Sequence, residues 1–297
     1  MIVLVLRGGL GNQMYEYAAA IALASHSHTN IVLNTKLGFV TDKEFKRKYC
    51  LDCFGVKYKQ NRLLSFDFPA GDIVEKISYR IGRHLFAPWY RVVSDKNIDI
   101  QHLKGNPQQY RNIVMMGTWN RMDDFCDLYR DKILEAFQLK YSYPPAVQKY
   151  IDMIRVCRKP VVAIGVRLFQ EIKDRTNTPT RQNPLSSTYY TEAMNWYLAK
   201  YGHVKFLVFT QVPQWFKDNI PIEKYDFEIV DTGSDDSTAV FDMFIFASCQ
   251  HYILSHSTFY AWGEKLNRSK TKDVIIPQTW SMAVKENWVK IESTYAI

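Results

Sequence analysis

The chain has 297 residues, of which 47% are hydrophobic and 23% charged, and it carries a net charge of +8. No apolar run reaches the roughly 18 residues that a bilayer-spanning helix needs, and no basic run is dense enough to favour a nucleic-acid partner. The five scattered cysteines fit a reducing compartment better than a disulfide framework. This length predicts one large or two medium domains.

Ile2–Leu6 is a short apolar run, as expected for a strand buried on both faces. Gly8, Gly9 and Gly11 follow, and from Met14 to Ser25 an alanine-rich stretch predicts a helix. Strand, glycine loop and helix together offer bare backbone N–H groups at a helix start, where an anionic or polar ligand can approach. The spacing is neither GxGxxG nor a P-loop, so a simple tight turn remains the competing reading. The N-terminus enters this strand with no basic n-region or cleavage site, so no signal peptide is expected. Further elements are a strand at Ile31–Leu33, a helix at Asp72–Arg83, a strand at Ile113–Met116 and a helix at Asp123–Phe137. Cys50 and Cys53 form one CxxC without a second pair at metal-ligand spacing, so no zinc site is expected there. Ser78–Val93 mixes arginines with Leu85, Phe86, Trp89 and Tyr90. Such a segment can dock on an anionic membrane surface, but a helix end packed on the core is the favoured reading.

The prolines of Tyr141–Ala146 start a helix that runs to about Arg158. The later half then alternates regularly. Strands are predicted at Val161–Val166, Lys205–Phe209, Phe227–Val230, Tyr252–Leu254 and Val274–Ile276. Helices are predicted at Tyr189–Tyr201, near Trp215, at Thr238–Ser248 and at Phe259–Asn267, with a long polar loop from Gln170 to Ser187. This alternation predicts a parallel, doubly wound α/β sheet whose ligands sit beyond the carboxyl ends of the strands.

Two constellations stand at such ends. Arg167 closes the VVAIGV strand, where a guanidinium can hold a phosphate through paired hydrogen bonds. The plainer alternative is an ion pair with Glu171. Lys173, Arg175 and Arg181 add positive charge to the same loop. In the second constellation, Ser257 and Thr258 stand between a strand and a helix. They can cap that helix or present hydroxyl and N–H groups to a diphosphate. His256 beside them is a candidate base or ligand hydrogen bonder, and Phe259 and Trp262 are expected to pack the helix on the sheet.

Taken together, Gly8–Ala24, GTWNRMDDF at Gly117–Phe125, VFTQVPQWF at Val208–Phe216, Asp242–Asn267 and IIPQTW at Ile275–Trp280 resemble, in order, the motifs of glycosyltransferase family eleven. These are the bacterial α-1,2-fucosyltransferases. The resemblance implies a GT-B-like α/β architecture, two Rossmann-like halves with a cleft between them. Residues 1–155 would form the acceptor-side domain with the glycine loop, and 156–297 the nucleotide-sugar domain. It implies an inverting, metal-independent transfer of fucose from GDP-fucose to an oligosaccharide or lipid-linked glycan in surface polysaccharide synthesis. The enzyme would be cytoplasmic, working at the inner face of the membrane with a peripheral membrane contact and without nucleic acid or cofactor. The implied donor-binding set is Gly9, Gly11, Asn12, Gln13, Arg167, Arg175, Arg181, Ser257, Thr258 and Phe259. The catalytic candidates are Arg167, Glu171 and His256.

One motif diverges. Where the family has His-x-Arg-Arg-Gly-Asp, this chain has Gly165, Val166, Arg167, Leu168, Phe169 and Gln170, so only the first arginine is kept. Gln211-Val212 replaces a pair of aspartates, and His256 replaces an asparagine. A different nucleotide sugar, or a non-catalytic binding role, is the alternative that this divergence raises.

Overall fold

The structure, a computed structural model, describes residues 1–40, 42, 45–61, 64, 90–99, 103, 105–167, 185–233 and 238–293. The expected helix at Asp72–Arg83 and most of the basic aromatic segment lie outside these residues. The chain divides into two compact units, Met1–Ser142 and Tyr143–Ile297. The division falls before the helix that starts at Pro145, not after it at 155. That helix packs within the second unit, where Tyr143 meets Phe244 ring to ring at 6.2 Å.

In the first unit, strands β1 (Ile2–Val5), β2 (Ile31–Asn34), β3 (Arg91–Val93) and β4 (Ile113–Met115) form a parallel sheet in the order β2-β1-β4-β3. β1 sits inside and is buried along its whole length, which is why its sequence is an unbroken aliphatic run. Helix α1 (Leu10–His26) is buried on all sides from Gln13 to Ala24. Its alanines let it sit close to the sheet. The expected helix at Asp123–Phe137 is two helices, α2 (Asp123–Asp127) and α3 (Arg130–Ala136). Between them, the N–H groups of Leu128 and Tyr129 reach back only three residues, a tightened turn that ends a helix. The Tyr129 hydroxyl is drawn to His26 Nδ1 at 2.8 Å. β3 falls where a helix end was expected.

The second unit begins with α4 (Pro145–Val156) and β5 (Val161–Val166). It continues through α5 (Ser187–Tyr201), β6 (Lys205–Thr210), α6 (Pro213–Asn219), β7 (Asp226–Ile229) and α7 (Ala239–Ser248). It ends with β8 (His251–Ile253), α8 (Thr258–Leu266), β9 (Val274–Pro277) and β10 (Val289–Ile291). All pairings are parallel, in the order β10-β9-β8-β5-β6-β7. The unit's first strand thus lies centrally, with the next two on one side and the last three on the other. This is the doubly wound Rossmann order, which reverses direction between β5 and β8. Two units, each an α/β layer structure on a parallel sheet, make the pair of Rossmann-like halves of a GT-B-like fold.

Buried phenols tie helix α5 to this sheet. Tyr189 donates to the Leu254 carbonyl at 2.6 Å, and Tyr197 to the Asp273 carbonyl at 2.9 Å. Behind α8 lies a buried ion pair, Lys272 Nζ at 2.7 Å from Glu264 Oε1. The same ammonium donates to the carbonyls of Glu264 and Asn267, each at 2.7 Å.

Candidate functional site

The glycine loop of the first unit is built around close approaches. Gly8 has φ +70°, a conformation open to glycine, and a Cβ there would fall 2.5 Å from Asn12 Nδ2. Asn12 therefore folds back over the loop. Gly9 is the N-cap of α1 with no side-chain cap, and a Cβ on it would stand 3.7 Å from Arg47 Nη1. Arg47, which sequence reasoning missed, places a guanidinium beside this helix start. Gly11 is buried within the first turn.

Gln13, expected to bind the donor, is turned into the interior of the first unit. It is fully buried, and its Nε2 donates to the carbonyls of Gly8 at 2.9 Å and Lys48 at 2.7 Å. Its Oε1 accepts the Cys50 N–H at 2.9 Å. Both amide protons are committed, so Gln13 is a clamp that fixes the glycine loop to the 48–50 segment. Gln13→Ala is expected to cost about 1–3 kcal/mol, because buried main-chain groups lose their partners. Urea denaturation checks this; an unchanged midpoint would show that water replaces the amide at no cost. Nearby, Glu16 is fully buried and accepts the Arg7 N–H at 2.9 Å. Burial raises its carboxyl well above the usual range. The Arg7 N–H and charge oppose that rise, and Asp95 reinforces it.

In the second unit, Arg167 and Ser257 follow two neighbouring strands. β5 and β8 are hydrogen-bonded neighbours, with Ile164 opposite Ile253. Arg167 follows β5, and Ser255, His256 and Ser257 follow β8. Ser257 is the N-cap of α8, and its hydroxyl makes no capping bond. The helix start is held by main chain alone, with Ala261 N–H on Ser257 O at 3.0 Å. The positive end of the α8 dipole thus opens at the carboxyl edge of the sheet, a geometry suited to an anion. The Arg167 guanidinium donates from Nη1 to Gln211 Oε1 at 2.6 Å. Gln211 stands just beyond β6, one place past the Val166–Thr210 pair.

His256 is held inside the unit. Its Nε2 lies 2.9 Å from the Thr279 hydroxyl, and its ring stacks on Trp280 at 6.1 Å and 21°. Thr258 and Phe259 form the first turn of α8, and Phe259 meets Tyr260 edge to face at 5.5 Å. Glu171, Arg175 and Arg181 lie outside the described residues. Tyr190 beneath the site was also missed by sequence reasoning. Burial raises its phenol and Tyr260 adds to the rise, while the Ser255 hydroxyl and the Arg167 main chain oppose it. Among the described residues, no three His, Cys, Asp or Glu side chains group as a metal site. Among them, too, no helix is long and apolar enough to cross a membrane.

Residues 174–297 match the profile of Glycosyl transferase family 11. Similarity to curated proteins runs along nearly the whole chain. It is 24% identical over 314 residues to the Escherichia coli O-antigen biosynthesis glycosyltransferase WbnK, covering 96% of this chain and 99% of the relative. The later part of the chain is thus similar to glycosyltransferase family 11. An α-1,2-colitosyltransferase of Escherichia coli is 22% identical over 98% of this chain and 99% of its own length. A galactoside α-(1,2)-fucosyltransferase 2 of Bos taurus is 24% identical over 55% of this chain and 49% of its own length. Gly165, where the resembled motif has histidine, stands in a crowded place. A Cβ at this position would fall 2.4 Å from Cγ of the Tyr260 ring, so this site has no room for a histidine.

Proposed function

We propose that this glycosyltransferase moves fucose from GDP-fucose, with inversion and without a metal, onto an oligosaccharide or lipid-linked acceptor of an O-antigen or similar surface polysaccharide. The observation that carries the proposal is the Arg167 guanidinium at the end of β5, next to the strand that leads into the uncapped start of α8. As the bond from the anomeric carbon to the diphosphate breaks, negative charge builds on the leaving phosphate oxygens. A fixed guanidinium and oriented N–H groups stabilise that charge without a cation. The acceptor hydroxyl attacks the opposite face, its oxygen bonding to the anomeric carbon as the diphosphate leaves, and its proton passes to water. Arg167, Ser257 and Thr258 are assigned to the diphosphate. The O-antigen relative supports the pathway class, and the fucosyl- and colitosyltransferase relatives both carry α-1,2 in their names.

The colitosyltransferase relative favours one second reading, a donor sugar other than fucose. Thermal melting separates the donor classes. GDP is expected to raise the melting temperature more than UDP does, and GDP-fucose to support transfer. An equal or reversed nucleotide preference counts against the fucose-type donor. Binding without transfer or donor hydrolysis, across broad acceptor panels, would point to a non-catalytic relative.

A further inference from the structure

The strongest unexplained feature beside Arg167 is a tyrosine on which the sequence reading is silent. Tyr260 lies in the first turn of α8, its third residue, and is 7% exposed. Its ring covers Gly165 so closely that a Cβ there would fall 2.4 Å from both Cγ and Cδ2. The ring is also backed from behind. Phe246 stacks on it at 5.2 Å and 26°, and Phe246 itself fills the space that a Cβ on Gly263 would need, at 2.5 Å. Two glycines and two rings thus interlock, and the Tyr260 ring has no alternative position to adopt.

The hydroxyl of this fixed ring reaches the ends of two strands. It donates to the Phe209 carbonyl at 2.8 Å and lies 3.4 Å from the Val166 carbonyl. Phe209 and Val166 belong to adjacent, paired strands, β6 and β5. The residues just past them are Arg167 on one side and, after Thr210, Gln211 on the other, and these two side chains meet at 2.6 Å. Burial raises the phenol, with Arg167 lowering and Asp242 raising it in turn. It therefore remains a donor at neutral pH.

We propose that Tyr260 is a positioning residue: its phenol clasps the carboxyl ends of β5 and β6 and so sets the direction in which Arg167 meets the diphosphate. The proposal rests on the donor-site reading above and deepens it. Calorimetric titration with GDP and with inorganic pyrophosphate tests it in a double-mutant cycle of Tyr260→Phe and Arg167→Ala. Tyr260→Phe keeps the ring and its packing and removes only the clasp. It is expected to weaken GDP and pyrophosphate binding about tenfold, the scale of one lost hydrogen bond. In the Arg167→Ala background the same change is expected to have almost no further effect, because the two act through one group.

A penalty that persists in full without Arg167, or unchanged affinity in Tyr260→Phe, overturns the proposal and leaves the donor site standing. A wild-type protein that binds neither GDP nor pyrophosphate overturns both. Should Tyr260→Phe fail to fold, Phe246→Leu, which loosens the support behind the ring, is read in the same cycle, with a smaller loss expected and the same outcomes overturning the proposal.

Discussion

Arg167→Ala is expected to lower sugar transfer by about 10²–10³-fold while the protein stays folded, the usual cost of removing a main electrostatic donor from a developing charge. The side chain is half-exposed at the end of β5, beyond the buried part of the strand. Its loss therefore leaves the sheet intact. The α8 start remains in place and accounts for residual binding. Steady-state kinetics with a defined donor checks the expectation, and the form of the loss is informative. A fall confined to kcat marks an interaction made in the transition state, and a rise confined to KM marks one made equally with the bound donor. Arg167→Lys restores charge without the planar fork, so partial recovery is expected. Near-normal transfer by Arg167→Ala would remove Arg167 from the mechanism.

The largest expected effect on stability comes from Lys272→Met. Glu264 is fully buried and Lys272 nearly so, at 0% and 7% exposed. Taking away the ammonium strands the Glu264 carboxylate and the carbonyls of Glu264 and Asn267 in a dry setting. Breaking one side of such a pair costs about 3–5 kcal/mol, whereas replacing both sides with apolar groups is often close to neutral. The double variant Glu264→Leu/Lys272→Met is therefore expected to recover most of the loss. Urea denaturation of the single and double variants measures it. A single variant as stable as wild type would mean that water reaches the carboxylate. The pair lies at the C-terminal end of the helix whose other end forms the candidate phosphate site. A loosened α8 should also weaken GDP binding.

Much of this architecture is legible in the sequence. VVAIGV at Val161–Val166 and IVLV at Ile2–Val5 are strands because a run buried on both faces has to be apolar throughout. The two strands that escaped, β3 and β10, are edge strands of three residues each. RVV and VKI are partly exposed and carry a charge, so they give no such signal. Polar residues in the glycine loop were harder to read. Asn12 and Gln13 look alike there, but Gln13 is committed to partners as distant as Cys50, 37 positions away. Nothing local in the chain reports that bond. Arg167 and Ser257 could be paired on paper because strand ends gather at one edge of a parallel sheet. Tyr260 could not, because a tyrosine in the first turn of a helix reads as core whether or not its hydroxyl reaches a neighbouring strand.

The crowding around Gly165 bears on how such a site can diverge. A histidine at 165 and a tyrosine at 260 exclude one another, so one place has to be vacated before the other is filled. A chain like this one, in turn, cannot regain the imidazole until the ring has gone. Intermediate sequences should therefore carry small residues at both places, a cavity where one bulky group or the other ordinarily sits.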